Sequence, residues 1–176
     1  MDMVVDQSAV TLESRFADRD RPVLLTGIQA LLRLLLEQQR LDHAAGLHTA
    51  GFVSGYRGSP LGGLDRELWA QKKLMTAHDI RFEPGVNEDL AATMILGTQE
   101  LDAFPGKKFD GVFGMWYGKG PGVDRSGDAF HCANMAGTHQ HGGVLAVSGA
   151  QSPEHLVAAM ERSLEERDKR LAQATG

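Results

Sequence analysis

The sequence predicts an α/β domain with a mostly parallel sheet and helices on both faces. Two observations carry that expectation. Short apolar runs of strand length, such as residues 50–53 and 144–147, alternate with longer segments whose apolar residues recur every three to four positions. Glycine-rich stretches at 54–65 and 118–128 follow apolar runs, and open parallel sheets bind ligands at the carboxyl ends of their strands.

Taken in order, residues 1–21 are polar and aperiodic and read as a mobile lead-in. Thr26 suits an N-cap, and Ile28, Leu31, Leu32, Leu35 and Leu36 then fall on one helical face, with Gly46 as terminator. Residues 50–53 read as a buried strand that leads into SGYRGSPLGGLD at 54–65, a loop by its Gly, Ser and Pro content. A second helix follows, with Leu61, Leu64, Leu68 and Met75 on one side. Residues 80–83 read as a short strand and Pro84-Gly85 as a turn. Asn87, Glu88 and Asp89 then form a helix-start signature: a capping side chain followed by two acids that favour the helix dipole.

Residues 111–117 read as a strand, 118–128 as a long glycine-rich loop, 129–136 as largely helical, and 144–147 as the clearest buried strand. The tail differs. Ser152 caps, Pro153 suits the first helical position, and Leu156, Val157, Met160 and Leu164 form a face. Glu165 with Lys169 and Glu166 with Arg170 are favourable i,i+4 pairs. This reading gives one domain over 22–150, flanked by the lead-in and by a charged amphipathic helix at 151–176.

A net charge of −5 and scattered Lys and Arg residues argue against a nucleic-acid surface. The densest apolar stretch, 30–36, is broken by Arg33, so neither a membrane span nor a signal peptide is expected. The single cysteine, Cys132, excludes an internal disulfide and a four-thiolate iron–sulfur cluster within one chain. A cytoplasmic protein is the expectation.

Glu88 stands out chemically. It follows a Pro-Gly turn and opens an apolar helix, so its carboxyl group can face a cleft and share a proton with a heteroaromatic nitrogen. The plainer reading is a first-turn acid that serves the dipole. Residues 118–122 could cradle an anion with Lys119 adding charge, or form an ordinary surface loop. His131, Cys132, His139 and His141 match no common zinc spacing, and Cys132 reads better as a small packed side chain. Ser59 and Ser126 sit in no Gly-x-Ser-x-Gly elbow. Trp116-Tyr117 reads as strand-end packing or one wall of a cleft.

Three strings together resemble one family: LTGIQALLRLLLEQQRLDHAAGLHTAGFVSGYRGSPLGGLD at 25–65, EPGVNEDLAATMILGTQE at 83–100 and GVFGMWYGKGPGVDRSGDAF at 111–130. They resemble the N-terminal part of the bacterial fused indolepyruvate ferredoxin oxidoreductases, which use thiamine diphosphate, over about residues 22–149. The resemblance implies a pyrimidine-binding domain of the thiamine-diphosphate fold. It implies an enzyme that decarboxylates arylpyruvates to acyl-CoA and passes electrons through iron–sulfur clusters to ferredoxin. Glu88 matches the family glutamate that meets the aminopyrimidine ring, with Asn87 beside it. Tyr56-Arg57-Gly58-Ser59-Pro60 resembles the family's Tyr-Pro-x-Thr-Pro loop, with Arg57 in place of proline and Ser59 at the hydroxyl position. By that match Tyr56, Gly58, Ser59 and Pro60 join Asn87 and Glu88 in binding the cofactor. Ser59, Arg57 and Lys119 face the substrate.

The sequence departs from such enzymes in two places. No Gly-Asp-Gly occurs, because Gly127-Asp128 is followed by Ala129, and after Val147-Ser148-Gly149 the charged tail replaces the family's continuation. The resemblance is therefore to a truncated domain. The diphosphate with its magnesium, the iron–sulfur clusters and CoA as co-substrate are expected to be handled by regions outside this sequence. A diphosphate-binding thiamine domain or subunit is the expected partner, with ferredoxin for the full enzyme and a homodimer by family likeness. Alone, the chain is expected to be inactive. A non-catalytic remnant, or a small-anion-binding or assembly module, is the alternative.

Overall fold

The computed structural model describes residues 14–17, 22–57 and 61–149. The expected helix at 151–176 and the loop residues Gly58, Ser59 and Pro60 lie outside the described residues. Within the segment expected to be a mobile lead-in, α1 (Ser14–Ala17) forms one helical turn that buries Phe16 in the core. The carbonyl of Arg15 accepts a bond from the Arg33 guanidinium at 2.8 Å.

The architecture is the expected α/β one: a four-stranded, all-parallel sheet in the order β2-β1-β3-β4 with helices around it. Helix α2 (Gly27–Ala44) begins where the capping signature placed it. Thr26 accepts from the Gln29 N–H at 3.2 Å, and the Gln29 side chain accepts from the Thr26 N–H at 3.0 Å, closing a capping box. Strand β1 (Thr49–Gly55) follows and runs further than the apolar stretch that predicts it. The single helix expected next is two: α3 (Gly62–Ala70) and α4 (Lys72–Ala77) meet at Gln71, a break that neither Pro nor Gly marks. After β2 (Ile80–Phe82), α5 (Glu88–Gln99) leads through a short 3-10 turn to β3 (Gly111–Lys119).

Side chains alternate between the two faces of the sheet, as strand geometry requires. Val53, Phe113, Met115 and Tyr117 pack with Leu32, Leu35 and Leu36 of α2, Leu64 and Leu68 of α3, and Met75 of α4. On the opposite face Trp116 and Phe52 pack with Ala91, Ala92 and Ile95 of α5. Tyr117 donates its hydroxyl hydrogen to buried Asp65, whose other oxygen accepts from Arg57 at 3.1 Å.

Two expectations are corrected beyond β3. The stretch read as a long glycine-rich loop contains α6 (Gly120–Arg125), followed by α7 (Gly127–Ala136). Pro121 lies in the first turn of α6, where its missing N–H costs no hydrogen bond. The strand expected to be most buried, β4 (Gly143–Gly149), is the end strand of the described sheet, and its Val144 and Leu145 are 39% and 42% exposed. Apolar composition signals a strand but not its place in the order. No helix among the described residues is long and apolar enough to cross a membrane.

A small polar cluster closes the α5–β3 connection against the loop before β4. Lys107 donates to Asp102 at 2.6 Å, and His139 Nε2 lies 3.1 Å from the other Asp102 oxygen. His139 Nδ1 accepts from the His141 N–H, so the neutral ring carries its proton on Nε2 and donates to Asp102. The Lys107 hydrogen bond, the charge of Lys107 and the contact with His139 hold the Asp102 carboxyl below its ordinary value. A depressed folded-state value stabilises the fold above the unfolded aspartate value, and that contribution is lost as pH falls through the lowered one. Lys107→Met should raise the Asp102 midpoint in a carboxyl-carbon NMR titration; an unmoved midpoint would remove the lysine from the account.

Candidate functional site

The topology places a crevice between β1 and β3. The chain leaves β1 for β2 on one side and leaves β3 for β4 on the other, so the carboxyl ends of β1 and β3 flank the point where strand order reverses. Tyr56 directly follows β1, and Lys119 ends β3. The segment after β2 reaches the same place. Tyr56 bridges Gly85, and the Gly85 N–H donates to the Gly55 carbonyl at 2.9 Å. A Cβ on Gly85 would lie 2.7 Å from Ala91 Cβ, so the glycine lets the turn close against α5.

That closure delivers Glu88 to the crevice. Asn87 is the N-cap of α5, with extended backbone and its Oδ1 accepting from the Leu90 N–H at 2.8 Å. Glu88 is the first residue of the helix, yet only 5% exposed. Its main-chain carbonyl accepts from the indole Nε1–H of Trp116 at 3.0 Å, a buried bond that ties Glu88 to the core formed by Trp116 with Ala91, Ala92 and Ile95. Its carboxylate makes no hydrogen bond or ion pair with any described residue. Helix α6 lies directly over it. A Cβ on Gly122 would stand 2.4 Å from Glu88 Cγ and 2.8 Å from Oε1.

A cavity of about 310 Å³ opens beside this carboxylate. Four of the residues singled out from the sequence line it: Tyr56, Asn87, Glu88 and Lys119. Pro121 and Gly122 belong to the stretch considered as an anion cradle and also line it, but as part of a helix. Val86 and Arg125 complete the wall, and sequence reasoning missed both. The signal for Arg125 was its position four residues after a proline able to open a helix, which puts the two on one face.

Other expectations fall elsewhere. Arg57, expected to face substrate, does not line the cavity; its guanidinium turns to Asp65 instead. The described part of the Tyr56–Pro60 motif thus contributes Tyr56 alone. Ser126 is fully buried between α6 and α7. Cys132, expected to be packed, is exposed on α7. Trp116 lines a different, more apolar cavity of about 500 Å³ between α5, α7 and the sheet, and a third, of about 370 Å³, lies beside α2. Neither contains the residues expected to bind a ligand.

Gly122 offers a direct check on how closely α6 covers Glu88. In an open helical position, glycine to alanine gains roughly 0.5–1 kcal/mol, and Gly97→Ala in α5 should do so because nothing lies within 4 Å of its Cβ. Gly122→Ala should instead cost about 1–3 kcal/mol through overpacking. Denaturant unfolding of the two variants should show opposite signs; equal shifts would mean that α6 does not confine the carboxylate.

Comparison with protein-family models, curated proteins and solved structures finds no match to this chain.

Proposed function

We propose that this chain is the pyrimidine-binding domain of a thiamine-diphosphate-dependent oxidoreductase. The enzyme would decarboxylate arylpyruvates of the indolepyruvate type to acyl-CoA and pass electrons to ferredoxin. One observation carries the reading: Glu88, the residue that the motif assigns to the cofactor ring, is a largely buried residue whose carboxylate, without a described partner, lines a cavity at the strand-order reversal. A carboxylate held at a cavity wall with no partner of its own is free to accept or share a proton with a ligand.

The residues fit the ring half of the cofactor. Glu88 would hold a shared proton at Oε against a ring nitrogen, and Asn87, by capping α5, fixes the helix end that presents it. Trp116 fixes the Glu88 backbone from within the core, while Gly122 and the rest of α6 shield the carboxylate from water. Tyr56 and Val86 bound the cavity and Lys119 adds positive charge. When bound, the cofactor supplies the electron sink that decarboxylation of a 2-oxoacid requires. The diphosphate and its magnesium, the iron–sulfur clusters and CoA fall in this reading to a partner domain or subunit.

Titration of the chain with thiamine tests the reading. The Glu88 carboxyl carbon and the Trp116 indole N–H, which bonds the Glu88 backbone, should both shift saturably in NMR spectra. Thiamine at millimolar concentration that moved neither signal would reject the assignment.

A further inference from the structure

We propose that Arg125, together with Lys119, holds an anionic oxygen group of the ligand that faces Glu88. The identity of that ligand's neutral half rests on the pyrimidine-domain reading; the anion site rests on the cavity itself.

Helix α6 brings a cation to the cavity from each of its ends. Lys119 immediately precedes the helix in extended conformation, and Arg125 is its last residue. Pro121 and Arg125 are four apart, so they share the helix face whose Gly122 abuts Glu88. Both cations line the same cavity wall as Glu88, and neither forms an ion pair or hydrogen bond with any described residue. Glu88 itself is not their partner, because no nitrogen–oxygen approach within 4.0 Å joins it to either one.

The local balance is therefore two cations to one carboxylate, in a chain whose net charge is −5. Arg125 is exposed and Lys119 half-buried, so solvent screens their mutual repulsion, and an anion in the cavity would meet both. A guanidinium presents a planar fork of donors that matches carboxylate or phosphate oxygens, and an ammonium adds a point charge. The cavity thus suits a ligand, or a pair of adjacent ligands, with a hydrogen-bonding neutral portion at Glu88 and an anionic oxygen group at Lys119 and Arg125. Two sources supply that chemistry: the carboxylate of a 2-oxoacid, which the proposed function brings to this cavity, and a phosphate, which would place here an anion that the proposed function assigns to the partner domain.

The experiment is a set of NMR titrations of the full chain with thiamine, thiamine diphosphate, phenylpyruvate and inorganic phosphate. Wild type, Arg125→Gln, Arg125→Lys and Glu88→Gln are compared. Arg125→Gln should weaken at least one anion-bearing probe about tenfold, the scale of a charge-assisted hydrogen bond. Thiamine, which carries no anionic group, should bind it as it binds wild type, and Arg125→Lys should recover part of the loss. A loss confined to phenylpyruvate identifies a carboxylate site. A loss for thiamine diphosphate and inorganic phosphate identifies a phosphate site.

The proposal is overturned if Arg125→Gln binds every probe as wild type does, if it weakens thiamine equally, or if wild type binds no anionic probe. Glu88→Gln separates the two readings. If it leaves thiamine binding unchanged while Arg125→Gln weakens an anion, the pyrimidine reading fails and the anion site stands. The converse result removes the anion site alone.

Discussion

On the proposed function, Glu88→Gln should lower 2-oxoacid turnover about 10²–10⁴-fold, the usual contribution of a positioned acid–base group, once the chain is assembled with the diphosphate-binding partner that the proposal requires. Glutamine keeps the size of the side chain and one acceptor oxygen but cannot share a proton at that oxygen. The fold should survive. The bond from Trp116 goes to the Glu88 main chain, which the substitution leaves in place. Losing one first-turn acid costs roughly 0.3–1 kcal/mol through the helix dipole, and replacing a buried charge with an amide offsets part of that. Asp89→Asn is the control, since Asp89 occupies the same first turn of α5. It should alter the dipole interaction equally and leave turnover nearly unchanged. Single-turnover decarboxylation compares the two; matched rates for Glu88→Gln and wild type would reduce Glu88 to a helix-terminal acid.

The second large effect concerns stability. Trp116→Ala should cost about 3–5 kcal/mol, the range for truncating a buried aromatic, which is a large share of the stability of an ordinary domain. Trp116 is fully buried, meets Phe130 edge-to-face at 5.0 Å between ring centroids, and donates to Glu88. Trp116→Phe retains most of the ring contact and removes the donor. It should cost about 0.5–1.5 kcal/mol, because the indole bond is lost while the Glu88 carbonyl, inside α5, keeps its intrahelical partner. Urea unfolding of both variants separates packing from the hydrogen bond. A phenylalanine variant as stable as wild type would show that the indole bond contributes nothing net.

The parts of the fold that depend on local chemistry were legible in the sequence. Thr26 and Asn87 announce helix starts because a short oxygen-bearing side chain can satisfy first-turn N–H groups, and both do so. The apolar runs at 50–53 and 111–117 mark the two central strands because both of their faces are covered by helices. What depends on distant neighbours was not legible. The same apolar signal at 144–147 belongs to a half-exposed end strand. Glycine and proline at 120–122 suggested a loop, yet a proline in the first turn and a glycine under a neighbouring carboxylate are compatible with a short helix. Of the candidate site residues, Glu88, Asn87, Tyr56 and Lys119 line one cavity. Arg57 does not join them, because it pairs with Asp65, whose burial shows only in three dimensions. Arg125 was missed because α6 was not anticipated.

The indole bond to the Glu88 backbone also ties chemistry to cooperativity. The residue that lines the candidate crevice with its carboxylate hangs on a side chain of the interior, so the crevice cannot slacken at that point while the surrounding sheet stays intact. The crevice and the sheet should therefore disorder at one thermal midpoint, and fluorescence from that indole would report both at once.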